Sequence, residues 1–259
     1  MRVTYPEYGK ESGKPWRVLL AARLPPETVD WCGKLFFRHH FYQKTIQNTI
    51  VPQRTLSDTR DSNSYTVRKL ADGKCWMVEN LRLIGPFQPD KSDSDVTWSK
   101  GSGTFTLTAS YSGAWCTEQS AACYNQSMVL DSGDSNYGAY YNWYAATAGT
   151  GTYSVSSGNA TSSICSKGWR LPTGDSNGEF EQLYRKYNSL NLMLGTPNFV
   201  LAGYRFGYTT HDVGIKGEYY SSSAGGNELA STLIFENGAV HTHWGNYNRT
   251  GHNVRCLAR

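Results

Sequence analysis

Three histidines stand close together late in the chain: His241 and His243 in VHTHW, and His252 in GHNVRC. Alternate residues of a strand project to one face, so His241 and His243 would point the same way and His252 would approach from a neighbouring strand. Three imidazoles are a partial zinc set, yet no carboxylate or cysteine clearly completes it. The competing reading is surface histidine in a loop-rich region, and no metal or other cofactor is assigned. Asp131, Asp134 and Asn136 form an acidic cluster. Calcium takes six or more oxygens and the EF-hand spacing is absent, so Asp134 or Asn136 is read as a helix cap. No GxSxG elbow, phosphate loop or dinucleotide fingerprint occurs, and no catalytic residue is named.

The six cysteines carry no CxxC pair and no Cys/His metal spacing. Cys116 and Cys123 bracket CTEQSAAC, which suits a local bridge. Cys165–Cys256 would close a long loop, where a bridge constrains the unfolded chain most. Elimination leaves Cys32 with Cys75. Disulfides argue for export; six free thiols in a cytosolic protein is the alternative. No apolar run is long enough to span a membrane. No signal peptide is legible either, because Trp16–Leu24 is short and broken by Arg17 and Arg23. A truncated or misassigned N-terminus would reconcile the two.

These residues need elements to position them. In ICSKGWRLPT (164–173) Cys165, Trp169, Arg170 and Pro172 lead into a helix start. Ser176–Glu179 matches a capping box, and Phe180, Leu183, Tyr184 and Tyr187 give that helix an apolar face. Tyr137, Tyr140, Tyr141 and Tyr144 fall at i, i+3, i+4 and i+7, which predicts an earlier helix, capped by Asn136, ended by Gly149 and packed in the core. Asp72-Gly73 predicts a tight hairpin between Tyr65–Leu70 and Lys74–Val78, with φ > 0 at both turn residues. Strands are also expected at 104–109, 196–203 and 253–257. Asn237-Gly238 predicts a two-residue hairpin that sets Phe235 opposite Val240 and Leu233 opposite Thr242 on the inward face. Ile234 then faces His241, and Thr232 faces His243, on the outward one. Arg170 is expected to hold an internal carboxylate.

Composition bounds the function. The 259 residues carry a net charge of only +4, with 18% charged side chains, and no clustered basic face marks a nucleic-acid partner. The 8 Trp, 18 Tyr and 26 Gly, with abundant Ser, Thr and Asn, fit binding loops and equally a loop-rich fold that uses Gly and Asn for turns. Residues 1–54 read as an extension of low order, 55–259 as one domain, and 85–103 as a loop. Gln88-Pro89-Asp90 matches a sugar-binding triplet by letters, but lies too early to serve.

DSNSYTVRKLADGKCWMVENLRL, YGAYYNWYAA, ICSKGWRLPT, GYR, GEYYSSS and GHNVRCLAR occur in this order. Over roughly residues 55–259 they resemble the FISUMP (Fibrobacter succinogenes major paralogous domain) family. The likeness is specific because several spaced motifs agree. It implies an α+β chain of C-type lectin-like or formylglycine-generating-enzyme-like fold, with two helices, a twisted antiparallel sheet and long loops. Saccharibacteria and retroelement-diversified variable proteins carry similar chains. Three departures stand out: the N-terminal 54 residues, Tyr220 where Trp is usual, and His252 where an aromatic such as Phe is usual. The last two fall in the region that variable members diversify. Formylglycine-type oxidation needs cysteines close together late in the chain, and Cys256 is the only one after Cys165, so that likeness is one of fold.

The resemblance implies a secreted or cell-surface, non-enzymatic module that binds a protein or glycan on another cell or surface. The expected face comprises Glu218, Tyr219, Tyr220, Ser222, His241, His243, Trp244, Asn246, Tyr247, Asn248 and Arg249. A structural surface protein without a specific ligand is the alternative, and a relative of the formylglycine enzymes a second.

Overall fold

The computed structural model describes residues 53–85, 105, 107, 115–166 and 168–259. The expected extension lies outside these residues apart from Gln53 and Arg54, which open the first strand. Cys32, residues 86–104 with Gln88-Pro89-Asp90, and most of the strand expected at 104–109 also lie outside; Phe105 and Leu107 of that stretch are buried.

The chain is α+β, with few helices and several antiparallel sheets. Strands β1 (Gln53–Ser57), β2 (Ser64–Lys69) and β3 (Cys75–Met77) form a meander. The β2–β3 turn is the expected one, but only Gly73 has positive φ (+81°). Asp72 instead uses its carboxylate, accepting from the Lys74 backbone N–H at 3.1 Å and the Trp76 indole N–H at 2.9 Å. The last strand, β12 (Leu257–Ala258), inserts between β3 and β6 (Trp169–Arg170), giving the order β1-β2-β3-β12-β6. Cys165–Cys256 is bridged beside this junction, with a Cα–Cα distance of 5.8 Å, and both residues are buried. Cys116–Cys123 is bridged as well.

The tyrosine stripe is not a helix. Residues 139–141 form β5 (Ala139–Tyr141), paired with β4 (Val129–Asp131). Gly138 precedes it at φ +72°, and a Cβ there would meet the Asn80 side chain at 2.6 Å. That conformation suits glycine and breaks a right-handed helix. Alternation along β5 sends the rings apart: the Tyr140 hydroxyl donates to Ala202 O, and the Tyr141 hydroxyl to Leu83 O. Both are buried, so the core role stands while the periodicity behind it does not. The helix here is only α2 (Trp143–Ala146), capped by Asn142, whose side chain accepts from Ala145 N. Asp134 and Asn136 belong to the β4–β5 turn, where Asp134 Oδ1 accepts from Asn136 N at 2.8 Å.

The longest helix among the described residues is α3 (Glu179–Tyr187). Its cap differs from the Ser176 box: Gly178 holds the cap position, and the reciprocal bonds join Thr173 to Glu179. Thr173 Oγ1 accepts from Glu179 N at 3.2 Å, and Glu179 Oε2 accepts from Thr173 N at 2.6 Å. A short helix α4 (Leu190–Gly195) follows, and regular strand resumes only at β7 (Tyr204–Phe206), not across 196–203. Strand β7 pairs with β8 (Thr209–His211). The closing strand is likewise shorter than 253–257, though Asn253 bridges to Tyr219. Strands β9 (Gly217–Gly226), β10 (Leu229–Glu236) and β11 (Ala239–Tyr247) make a second sheet. Phe180 and Leu183 of α3 share one buried cluster with Tyr219, Leu233 and Phe235 of that sheet, together with Trp76 and Leu257 of the first.

Candidate binding face

The β10–β11 turn is the one Asn237-Gly238 specifies, with φ +49° and +80°, which matches the right-handed twist of the strands it joins. Phe235 stands opposite Val240 and Ile234 opposite His241, as the turn dictates. The register then shifts, and Thr232 opposes Trp244 rather than His243. One extra residue in β11 makes this a β-bulge, which reverses the alternation beyond it. Thr242 turns inward and donates its hydroxyl to the Glu181 carboxylate of α3, while His243 stays exposed. Trp244 comes to the side of His241, ring centroids 5.0 Å apart.

The bulge separates the histidines. His241 lies against Trp244, with Nε2 3.8 Å from Glu236. His252 is not on a surface at all: it is fully buried, Nδ1 3.0 Å from Glu218 Oε2 but not aligned for a hydrogen bond, with the Tyr220 ring edge-on at 4.6 Å. Among the described residues no three His, Cys, Asp or Glu side chains are grouped to hold a metal ion.

The expected face divides in two. Trp244 (53% exposed), Tyr247 (41% exposed) and His243 are open to solvent, and His241 and Asn246 are half-buried. Glu218, Tyr219, Tyr220, Ser222, Asn248 and Arg249 are buried, and of these Glu218, Tyr220 and Arg249 brace the face. Glu218 accepts from Asn246 Nδ2 at 2.9 Å. The Tyr220 hydroxyl donates to Thr250 O and Tyr247 O. The Arg249 guanidinium lies 4.2 Å from the Tyr247 ring centroid, with Tyr124 and Phe206 at 5.6 and 5.8 Å, distances at which a cation is attracted to an aromatic face. Arg249 also donates to the Tyr124 hydroxyl, which donates onward to Glu228 Oε2 at 3.0 Å. Burial first, then the Glu228 carboxylate, pushes Tyr124 up to about 12, so the hydroxyl keeps the proton it donates.

Tyr124, Phe206 and Glu228 entered no sequence expectation. The signal that bore on them was the cysteine pair beside Tyr124 and the GYR motif beside Phe206. Exposed Tyr208, Val213 and Ile215, around the β7–β8 hairpin, also lay outside the expected set. Ser222 lines a different feature, a polar groove of about 250 Å³ shared with Ser162, Ser163, Arg170, Thr173 and Arg259. Arg170 has the internal carboxylate expected of it: Nη2 donates to Glu179 Oε1 at 2.6 Å.

No family model, curated protein or solved structure matches this chain.

Proposed function

We propose that this chain is a non-enzymatic ligand-binding protein of the cell surface or the secreted space, and that it holds a protein or glycan ligand at the β11 face. The FISUMP resemblance and the C-type lectin-like fold belong to the same proposal. Support for the location comes from two disulfides, together with the absence among the described residues of a helix long and apolar enough to cross a membrane. The observation that carries the reading is the exposure of Trp244 and Tyr247 while Glu218, Tyr220 and Arg249 near them are buried and bonded. Aromatic anchors of this kind, held rigid and ringed by adaptable polar groups, characterise binding surfaces; here His241, His243 and Asn246 supply the polar part.

The test is a glycan array and a surface-protein pull-down with the wild-type chain, Trp244→Ala and Tyr247→Ala. Both variants should lose the captured ligand while keeping the wild-type near-ultraviolet circular dichroism. Unfolding of both would make these residues core. Absence of any ligand for the wild type would favour a structural surface protein.

A further inference from the structure

The Cys116–Cys123 loop is fastened at one end to the β7–β8 turn and at the other to the candidate face. At one end Trp115 donates its backbone N–H to Gly207 O, in the β7–β8 turn, at 2.8 Å. Its indole covers Gly251, where a Cβ would come within 2.5 Å of the ring. At the other end Cys123 is followed by Tyr124, and both lie in the four-residue helix α1 (Ala121–Tyr124). Tyr124 accepts from Arg249, and Arg249 packs over Tyr247. Bridge, Tyr124, Arg249 and Tyr247 thus form a run of direct contacts that ends on an exposed aromatic ring. A helix this short has no stability of its own in water. It is held by the bridge, by the Ser120 cap, whose hydroxyl accepts from Cys123 N at 3.3 Å, and by the contacts of Tyr124.

The two bridges differ in access. Cys165 and Cys256 are both buried in the main core cluster. Cys116 is half-exposed, and Thr117, Glu118, Gln119, Ala121 and Ala122 around the second bridge are exposed. Thiol–disulfide exchange requires a thiolate to reach a sulfur, so an external dithiol meets Cys116–Cys123 first.

We propose that the Cys116–Cys123 bridge is a redox-sensitive clamp on the aromatic face: a dithiol reduces it, α1 loosens, and Arg249 and Tyr247 lose their fixed orientation while Cys165–Cys256 and the core persist. One thiolate of the reagent attacks a cysteine sulfur, the S–S bond breaks, and the departing cysteine thiolate takes a proton. The reagent's second thiol, as thiolate, then displaces the other cysteine from the mixed disulfide. The chain gains two electrons and two protons as two thiols, and the dithiol leaves as a disulfide. The consequence for ligand capture rests on the binding reading above; the loosening itself does not.

The experiment titrates the full chain with dithiothreitol near neutral pH, quenches by alkylation, and reads labelled peptides by mass spectrometry. Hydrogen exchange is followed at the amides of Asn248 and Thr250, which donate to Glu228 O and Tyr247 O at 3.0 Å each. Cys116 and Cys123 should label before Cys165 and Cys256. The two amides should then exchange at least about tenfold faster, as in local opening, and recover on reoxidation. Tyr124→Phe keeps the ring and the bridge but removes the hydroxyl, and should speed the same amides without any reductant. Unchanged exchange in both the reduced chain and Tyr124→Phe would overturn the clamp, as would simultaneous opening of the two bridges. A chain that loosens as described, yet binds no protein or glycan when oxidised, supports the clamp and removes the ligand reading alone.

Discussion

Trp244 pairs with Thr232, one residue beyond the partner that the Asn237-Gly238 hairpin assigns without a bulge. The offset places Trp244, not His243, beside His241. An aromatic pair therefore occupies the position where plain alternation would set two imidazoles. Thr242, on the inward face that plain alternation already gives it, donates to the Glu181 carboxylate on α3, which ties the edge strand to the helix behind it.

Deleting one residue from a strand normally turns every following side chain to the opposite face. Deleting His243 should not. It is exposed, and its absence would close the bulge with His241 still opposite Ile234 and Trp244 still opposite Thr232. The deletion variant should fold with a loss of no more than about 1–2 kcal/mol, since His243 is exposed and gives up a contact with the Thr242 hydroxyl at 3.2 Å. Urea denaturation checks this. Deletion of Val240, which precedes the bulge and packs against the core, should by contrast give no cooperative transition.

The two tryptophans Trp143 and Trp244 should separate stability from binding. Trp143 is fully buried, and its indole N–H donates to Ser221 O at 2.9 Å. Trp143→Ala should cost about 3–5 kcal/mol, the range for truncating a buried aromatic. Trp244→Ala should stay within about 0.5 kcal/mol. Denaturant midpoints at equal slope decide it; a large loss from Trp244→Ala would mean that the ring serves packing.

The residues that spoke plainly in the sequence were those whose chemistry acts locally. Asn237-Gly238 names its turn because both residues accept positive φ, and Phe180, Leu183, Tyr184 and Tyr187 name α3 by spacing alone. The misread segments were decided at a distance. Tyr137–Tyr144 has helical spacing, but Gly138 takes positive φ where Asn80, more than fifty residues earlier, packs too close to leave room for a Cβ. The capping-box pattern points three residues back from Glu179 to Ser176, whereas Glu179 reaches six residues back to Thr173, where Arg170 also holds its carboxylate. The bulge in β11 carries no local turn signal. The same limit held for the site. Exposed Trp244 and Tyr247 were legible by type, but Glu218, Tyr219 and Tyr220 have equally suitable chemistry and are buried by what packs on both faces of β9.

The Cys165–Cys256 bridge spans 91 residues of sequence. Closing a loop of that length removes unfolded-state entropy worth roughly 4–5 kcal/mol. The double variant Cys165→Ala/Cys256→Ala should lose about that much. Cys116→Ala/Cys123→Ala, with a separation of 7, should lose markedly less. Paired denaturation curves measure the difference; equal losses would show that the long bridge adds no more than the short one.

Arg255 is buried, and among the described residues no carboxylate forms an ion pair with it. Its guanidinium donates to Asn80 Oδ1, Pro197 O and Asn198 O, and lies 4.9 Å from the Phe199 ring centroid. Burial pushes its pKa down from the usual arginine value, yet the neutral acceptors and aromatic faces hold the cation. Arg255→Met fills similar volume but strands the buried acceptors of Asn80 and Pro197. The expected loss is about 3–5 kcal/mol, as for breaking a buried charged network. Asn80→Ala in the Arg255→Met background should cost less than Asn80→Ala alone, because the two share one bond. Additive losses would show the pair to be independent.

Glu179 gives the fold an acid limit. Burial alone would raise its carboxyl, but hydrogen bonds from Arg170 and Thr173 and the Arg170 charge outweigh burial and hold it down at about 2, against 4.5 for a free glutamate. Between those values the unfolded chain binds the proton and the folded chain does not. Stability from this group is therefore complete above about pH 4.5 and falls as pH drops toward 2. Glu179→Gln cannot titrate, so its stability should fall less steeply across that window, while lying below wild type at pH 7, where the Arg170 charge and the Thr173 N–H have lost the carboxylate. Urea midpoints measured from pH 7 to pH 2.5 check both parts: wild type and variant should converge on acidification. Parallel profiles would mean that the carboxylate takes up its proton at the same pH in both states.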